Sequence, residues 1–270
     1  MKHSKIYLIS VFSLVVFLVS CDDKSLSPTI QKDPDFSLTP MENEEAELAA
    51  LHLSGKLIAP LPLYEQIKEE LELIRETWSD SITHVNIEFE PFYHPSIISI
   101  WVSPPTHDSI VAGTYHHWDS LNDYYRIDTI MPGWRHDKYG QITLKFKGRL
   151  NSLVLLFGYA GLPGFKFVTF LGKVGDWPVL HLIRDRDEIK YFFRHAYGDC
   201  PSGCISSEYY YFRVENDRAY FIDSFLEVYP NYPPDSLRPA WMDTVVTAHK
   251  KYLEFDCWHV DDFEYADYGC

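Results

Sequence analysis

The middle third of the chain carries the pattern that most restricts how it can fold. Two of its segments alternate, two others are short strand-like runs, one carries an apolar stripe at helical spacing, and one is a short apolar helix. In chain order these are strand Ile97–Val102, helix Asp108–Tyr125, strands Arg126–Met131 and Gln141–Lys147, helix Ser152–Ala160 and strand Phe165–Leu171. This βαββαβ order predicts an α+β, ferredoxin-like split βαβ sandwich, in which two helices cover one face of a four-stranded antiparallel sheet.

The regions on either side of this pattern predict further layers. Thr39, Pro40 and Glu42 form a capping pattern that opens a helix ending at Gly55, and a second apolar helical stripe begins near Pro62. The expected organisation has five parts: a lipoprotein signal peptide at 1–20, a flexible tether at 21–38, a helical pair with an added strand, Ile82–Phe89, at 39–90, the ferredoxin-like domain at 91–175, and an aromatic β-rich unit with a cysteine loop and an acidic tail at 176–270.

The first twenty residues have the composition of a processing segment. Lys2 and Lys5 form a basic region, and Ile6–Val19 is an apolar run that is short for a membrane-spanning helix. The phrase Leu18-Val19-Ser20-Cys21 resembles the lipobox of bacterial lipoproteins, in which the cysteine receives a diacylglycerol. We therefore expect lipidation at Cys21 and a place in the bacterial cell envelope, facing the periplasm or the cell surface. An ordinary secretory signal and an uncleaved anchor are the alternatives.

The charge of the chain excludes one class of partner. Its formal net charge is −15, and removal of residues 1–20 takes away two lysines and no acidic residue, which makes the net charge −17. A protein this acidic repels phosphate backbones, and no basic patch interleaved with aromatic residues offsets that repulsion. We expect attachment to a membrane through the lipid, a protein or an envelope polymer as partner, and no nucleic acid.

Four cysteines remain once Cys21 is lipidated, and an even number outside the cytoplasm predicts two disulfide bonds. Three pairings are possible, and proximity in sequence favours Cys200 with Cys204 and Cys257 with Cys270. The first pair encloses a loop that is a candidate binding site. Its residues between and beside the cysteines are Asp199, Pro201, Ser202 and Gly203.

Other chemistry in this loop has less support. Two cysteines separated by three residues are half of a zinc site, and no second pair with similar spacing follows. A cysteine nucleophile needs a reduced thiolate, which an oxidising compartment disfavours. Ser202 lacks the strand–turn–helix setting in which a nucleophilic serine of the Gly-x-Ser-x-Gly type is found.

The histidines of the first predicted sandwich helix do not have the spacing of a metal site. His116 and His117 are adjacent, so they point about 100° apart on a helix and cannot both reach one metal from a single face. We expect surface or capping roles for both of them and for His107.

The carboxylates also lack a catalytic or metal-binding pattern. Asp176, His181, Asp185 and Asp187 are close in sequence but show no spacing typical of an active site. The acidic stretch Glu254–Asp267 does not match the spacing of a helix–loop–helix calcium site, so surface acidity is expected there. The sequence predicts no metal, no cofactor and no catalytic residue.

Three phrases of the middle third are similar to the propeptide and proteinase-inhibitor domains of subtilisin-type proteases. They are Trp118-Asp119-Ser120-Leu121-Asn122 with Tyr125, Phe146-Lys147-Gly148-Arg149-Leu150, and Leu162-Pro163-Gly164-Phe165. The resemblance implies the βαββαβ order and the inhibition of a protease. In that family an acidic, proline-containing phrase follows at the last strand, whereas this chain has Thr169-Phe170-Leu171.

Over its whole length the chain resembles uncharacterised bacterial lipoproteins with the same cysteine loop, followed by the aromatic strand Tyr209–Phe212. That likeness implies no particular activity. The sequence favours a non-enzymatic role, as a lipid-anchored binding or structural module of the cell envelope. A protease inhibitor like the subtilisin propeptides is the first alternative, and a secreted hydrolase is the second.

Overall fold

The computed structural model describes residues 38–91, 93–172, 180–198, 206–228, 237–245 and 247. The helices are α1 (Glu44–Ser54), α2 (Leu61–Trp78), a 3-10 helix (Thr83–Asn86), α3 (Pro104–Val111), α4 (Asp119–Tyr125) and α5 (Ser152–Tyr159), with further helical residues at 240–245. The strands are β1 (Tyr93–Val102), β2 (Ile127–Arg135), β3 (Gly140–Phe146), β4 (Phe165–Gly172), β5 (Leu180–Asp185), β6 (Glu188–Tyr197), β7 (Ser206–Glu215) and β8 (Arg218–Val228). They form two antiparallel four-stranded sheets, which confirms the α+β prediction.

Sheet A contains the strands predicted for the middle third. Its strand order is β2-β3-β1-β4, so the first strand lies in the interior of the sheet, and Ile98 pairs with both Leu144 and Phe170. Alternation brings Ile98, Ile100 and Leu144 to one face of the sheet, where they are fully buried. The four predicted strands of this region are therefore confirmed.

Helices α3, α4 and α5 pack against this sheet. Rings from the helices pack against rings from the strands: Phe146 lies 5.7 Å from Tyr159 of α5, and Phe165 lies 6.1 Å from Trp118, which caps α4. Gly158 permits the close approach of α4 and α5, since a Cβ atom there would lie 2.5 Å from the hydroxyl oxygen of Tyr125.

The prediction of one helix over Asp108–Tyr125 is wrong. The helix ends at Val111, and Gly113 adopts a left-handed φ of 70°, which turns the chain before α4 begins at Asp119. Between the two helices, Thr114 is exposed and Tyr115 is buried. The helical spacing that seemed to run through this break was therefore coincidental there.

Sheet B is a simple meander in the order β5-β6-β7-β8. Asn216 and Asp217 have positive φ angles of 49° and 56° between β7 and β8, as a tight hairpin requires. Strands β6, β7 and β8 are rich in aromatic residues, as expected for this part of the chain.

Helices α1 and α2 cover one face of sheet B. Their apolar residues share a core with the strands, centred on the fully buried side chains Ile67, Ile74, Tyr191, Phe193 and Phe212. On the other face Met242 and Val245, from the helical residues 240–245, pack with a smaller set of aromatic residues. None of the helices within the described ranges combines the length and the apolar character needed to cross a membrane.

The ends of the helical pair differ partly from expectation. Asn43, rather than Thr39, caps α1, since its Oδ1 accepts a hydrogen bond of 2.9 Å from the backbone of Ala46. Gly55 ends α1 in the left-handed conformation, as predicted, and Pro62 lies in the first turn of α2.

The added strand at Ile82–Phe89 is wrong as well. The residues Thr83–Asn86 form a 3-10 helix, and both neighbours of β1 in sheet A are already taken by β3 and β4. The carbonyl oxygens of Val85 and Ile87 instead accept hydrogen bonds of 2.9 and 3.1 Å from the guanidinium of Arg75. The side chain of Val85 joins the core between α2 and sheet B.

Helix α1 also contacts the connection that leads from β3 to α5. The guanidinium of Arg149 donates to Glu44 at 2.7 Å and to Glu47, whose side chain is almost fully buried. Asn151 adds a hydrogen bond of 3.2 Å from its amide nitrogen to the carbonyl oxygen of Leu51. Through these contacts one helix touches the elements of both sheets.

His52 lies near the end of α1 and makes the fold sensitive to acid. Its ring lies 5.5 Å from that of Phe89 and 6.3 Å from that of Tyr93. Burial lowers the pKa of His52 from 6.5 to about 4, so the ring is neutral at pH 7. Above pH 6.5 the ring is neutral in both the folded and the unfolded state, so it does not change the free energy of unfolding. As the pH falls from 6.5 through the folded pKa, the unfolded state binds a proton that the folded state resists, and the fold loses stability.

Candidate binding surface on sheet A

Around Trp101, the face of sheet A that points away from its buried aliphatic side carries aromatic and neutral polar side chains, and the exposed Lys145 lies farther along β3 on the same face. Trp101 of β1 pairs with Gln141 of β3 and with Phe167 of β4, so these three side chains lie next to each other on this face. One step along the strands, Ser99 pairs with Thr143 in the same way. A row of aromatic residues therefore lies beside a row of hydroxyl and amide groups.

We call the group formed by Trp101, Trp134, Tyr139 and Phe167 the aromatic face. The ring of Trp101 is stacked on Phe167 at 5.2 Å and meets Trp134 and Tyr139 edge to face at 5.3 and 5.2 Å. Trp134 and Tyr139 are 5.4 Å apart. Offset and edge-to-face rings at these distances attract each other beyond their burial, which fixes the group in one arrangement.

The aromatic face combines an exposed ring with a fixed polar pair. Trp134 is 49% exposed, whereas Phe167 is buried beneath the group. The amide of Gln141 donates a hydrogen bond of 2.9 Å to the hydroxyl oxygen of Ser99, which holds both side chains in place. A half-exposed tryptophan on a rigid base is the kind of residue that carries binding energy in protein interfaces.

Strand β2, which supplies Trp134, is the edge of the sheet and is exposed along most of its length. Ile130 and Met131 are also about two-fifths exposed. Pro132 lies within this strand and has no N–H group, which weakens the edge as a template for an added strand. The exposed side chains of this region therefore favour binding through the face of the sheet and not through its edge.

A second feature is a shallow depression of about 480 Å³ near the start of α3 and the turn before α4. Tyr115 lies at its side, and its hydroxyl donates a hydrogen bond of 2.8 Å to the carbonyl oxygen of Pro163. Burial raises the pKa of Tyr115 to about 12, so the hydroxyl keeps its proton. His116 and His117 border the depression and are exposed, as expected. His116 contacts Asp119 at 2.9 Å, and both side chains of this pair are exposed.

His107 departs from its expected surface role. Its side chain is buried, and its ring packs so closely on Gly140 that a Cβ atom there would lie 2.4 Å from the ring. Neither ring nitrogen finds a hydrogen-bond partner among the described residues, although Nδ1 lies 3.7 Å from a carboxylate oxygen of Asp108. His107 therefore helps to pack α3 on β3, and it does not join His116 and His117 in one site.

The other residues considered for catalysis do not converge. Asp185 ends β5 and pairs with Lys190 at 2.8 Å, which lowers the pKa of Asp185. His181 lies four residues earlier in the same strand, roughly 13 Å away along the chain. Asp187 lies in the exposed turn that follows β5, and Asp176 is outside the described residues.

Several predicted residues also lie outside the described part of the chain. They are Cys21, the predicted disulfide cysteines Cys200, Cys204, Cys257 and Cys270, the loop residues Asp199, Pro201, Ser202 and Gly203, and the acidic stretch 254–267. Within the described part, no three His, Cys, Asp or Glu side chains are grouped so as to hold a metal ion.

The sequence contained a signal for the aromatic face that was not used. Trp101 stands at the polar position of an alternating strand, where a large ring is unusual unless the second face of the sheet also makes contacts. The prediction ended β2 at Met131, whereas the strand continues to Arg135 and so brings Trp134 beside Trp101.

No protein-family model, no curated protein and no solved structure matches the chain. The candidate surface is therefore argued from its own geometry.

Proposed function

We propose that the protein is a lipid-anchored binding module of the bacterial cell envelope and that its aromatic face binds the partner. The observation that carries this proposal is the half-exposed ring of Trp134, held edge to face by Trp101 and Tyr139. Preorganised rings lose little conformational entropy on binding, so more of their contact energy appears as affinity.

The chemistry beside the rings favours an envelope polymer over a protein as the partner. Gln141, Ser99 and Thr143 offer neutral hydrogen-bonding groups next to apolar rings. A glycan chain has C–H faces that pack on aromatic rings, and it has hydroxyl groups that form hydrogen bonds with amide and hydroxyl groups. A polymer is also long enough to be reached by a protein that is tethered at one end to a membrane.

The lipid anchor belongs to the same proposal. The basic segment, the short apolar run and the phrase ending in Cys21 support processing as a lipoprotein. Two or more acyl chains give stable attachment because each buried methylene contributes about 0.8 kcal/mol. The acidic body, once tethered, stays clear of anionic lipid surfaces, which leaves its aromatic face available to the polymer.

A protease inhibitor is the second candidate, and one observation favours it. Sheet A has the order β2-β3-β1-β4, with α3 and α4 between β1 and β2 and α5 between β3 and β4, which supports a ferredoxin-like architecture of the kind found in subtilisin propeptides. Two of the similar phrases lie at element boundaries: Trp118–Asn122 opens α4, and Leu162–Phe165 leads into β4. The segment that follows β4, which would have to enter a protease cleft, lies outside the described residues.

Replacing Trp134 by alanine tests the binding surface. We expect the affinity of the variant for insoluble cell-wall polymer, measured by co-sedimentation, to fall about thirtyfold, because a central tryptophan commonly contributes about 2 kcal/mol. Tyr220→Ala is the matched control, since Tyr220 is 41% exposed on sheet B. Equal sedimentation of W134A and the unchanged protein would contradict the proposal. Binding to no polymer fraction at all would remove the polymer as partner.

Replacing Cys21 by serine tests the anchor. We expect C21S to incorporate no labelled fatty acid and to lose its membrane association after alkaline washing of the membranes. Ser20→Ala keeps a small residue before the cysteine and should be processed normally. Fatty-acid incorporation by C21S at an unchanged level would refute lipidation at this residue.

Incubation with a subtilisin-type protease separates the two candidates. The binding proposal predicts that the mature chain, residues 21–270, leaves the protease fully active at equimolar concentration. Lasting inhibition with the chain intact would instead establish the inhibitor, and W134A in the same assay would show whether the aromatic face takes part.

A further inference from the structure

The 3-10 helix Thr83–Asn86 joins the helical pair to sheet A, and it lies against sheet B. Val85 anchors it in the core, and Arg75 of α2 binds two of the backbone carbonyl groups that belong to or follow it. Arg75 is itself paired with the largely buried carboxylate of Glu45 at 2.6 Å. This segment is therefore docked from two sides, by α2 and by sheet B.

Its contact with sheet B is made by two stacked imidazole rings. The ring of His84 lies 4.0 Å from that of His195 in β6, with an angle of 18° between the planes. His84 is also stacked at 5.5 Å on Tyr210 of β7. Both histidines are partly exposed, so protons from solvent can reach them.

Two hydrogen bonds determine which ring nitrogen of neutral His84 carries the proton. The hydroxyl of Tyr210 donates to a carboxylate oxygen of Glu208 at 2.7 Å. Because that hydroxyl has a single proton, its oxygen accepts from Nδ1–H of His84, which lies 3.2 Å away. In this arrangement the proton that His84 gains in acid goes to Nε2.

The negative charge beside the two histidine rings offsets the positive charge of one protonated ring, but not that of two. Beta strand β6 contributes His195 and Tyr197, and β7 contributes Glu208 and Tyr210. From α2, Arg75 brings a positive charge that is neutralised by Glu45. Glu208 stands directly opposite His195 in the strand register and is the carboxylate that these described strands place beside the rings. A second protonated ring would face the first one at van der Waals distance.

Burial and the charge of His195 both lower the pKa of His84, and Glu208 opposes them. This order of effects agrees with the geometry, in which His84 is the ring that resists protonation.

We propose that His84 and His195 form an acid-sensitive latch, which holds the 3-10 helix on sheet B while at most one ring is protonated and releases it when both are. Release loosens the connection between α2 and β1, and so the attachment of sheet A to the helical pair. An envelope protein meets the pH of its surroundings directly, so such a device responds to external acid.

Hydrogen exchange at individual amides tests the latch. The reporters are the amides of Val85 and Ile87, which bond within this segment to Ile82 and His84. Between about pH 7.5 and about pH 5, we expect their opening equilibrium to rise about tenfold after correction for the intrinsic exchange rate. The amide of Ile100, in the interior of sheet A, should keep its protection.

His195→Phe is the deciding variant because it keeps a stacked ring and removes the second charge. In this variant we expect the amides of Val85 and Ile87 to lose the acid response. If the phenylalanine ring disturbs folding, His195→Gln is the second variant, and it should lose the response as well. His117→Phe, which replaces an exposed histidine elsewhere, is the matched control and should respond like the unchanged protein. His52→Phe should also retain the response.

Three results would overturn the proposal. The first is the absence of any acid response in the unchanged protein. The second is a response that survives in both His195 variants or disappears in H52F, because another group would then drive it. The third is an equal rise at Ile100, which would mean global unfolding and no local release.

Discussion

The ion pair of Arg149 with the first turn of α1 is the contact on which the arrangement of the two sheets depends. Glu47 is only 6% exposed, and a carboxylate in such a place is tolerated because a guanidinium faces it. Glu44 accepts from the same guanidinium, and both carboxylates lie at the positive end of the helix dipole. The residues before α5 are thereby held against a helix whose other side belongs to the core of sheet B.

This attachment explains how one chain presents two faces of different character. The apolar side of sheet A is covered by its own helices, and α1 and α2 cover sheet B. The aromatic face around Trp101 and Trp134 needs no residue from sheet B to form, since its contacts come from β1, β2, β4 and the hairpin at Tyr139. A binding surface and a supporting body can thus be built by adjacent parts of one sequence.

Much of this architecture could be predicted, because period-two alternation is a local signal. Ile142, Leu144 and Phe146 marked β3 directly. One failure is a case in which a distant residue decides the local structure. Alternation at Ile82–Phe89 was overridden by Arg75, whose guanidinium takes carbonyl groups that a strand partner would otherwise need. The helix break at Gly113 was hidden by apolar residues that happened to continue the spacing.

The candidate site was less predictable than the fold. The aromatic face joins residues from separate strands whose register is set by the whole sheet, and no short motif contains them. The stacking of His84 on His195 joins residues more than a hundred positions apart for the same reason. Such groupings require the pairing of strands to be known, whereas helices and hairpins depend mainly on neighbours in sequence.

A double-mutant cycle on Arg149 and Glu47 tests the central claim most directly. By urea unfolding, we expect Arg149→Ala to lower the free energy of unfolding by about 2–4 kcal/mol, since it leaves a buried carboxylate without its partner. Combined with Glu47→Gln, the two changes should show a coupling energy of about 1–3 kcal/mol. Arg135→Ala, which breaks the exposed pair with Asp108, should lower the free energy of unfolding much less, because solvent screens that pair. An Arg149→Ala effect no larger than that of Arg135→Ala, with no coupling to Glu47, would contradict the account.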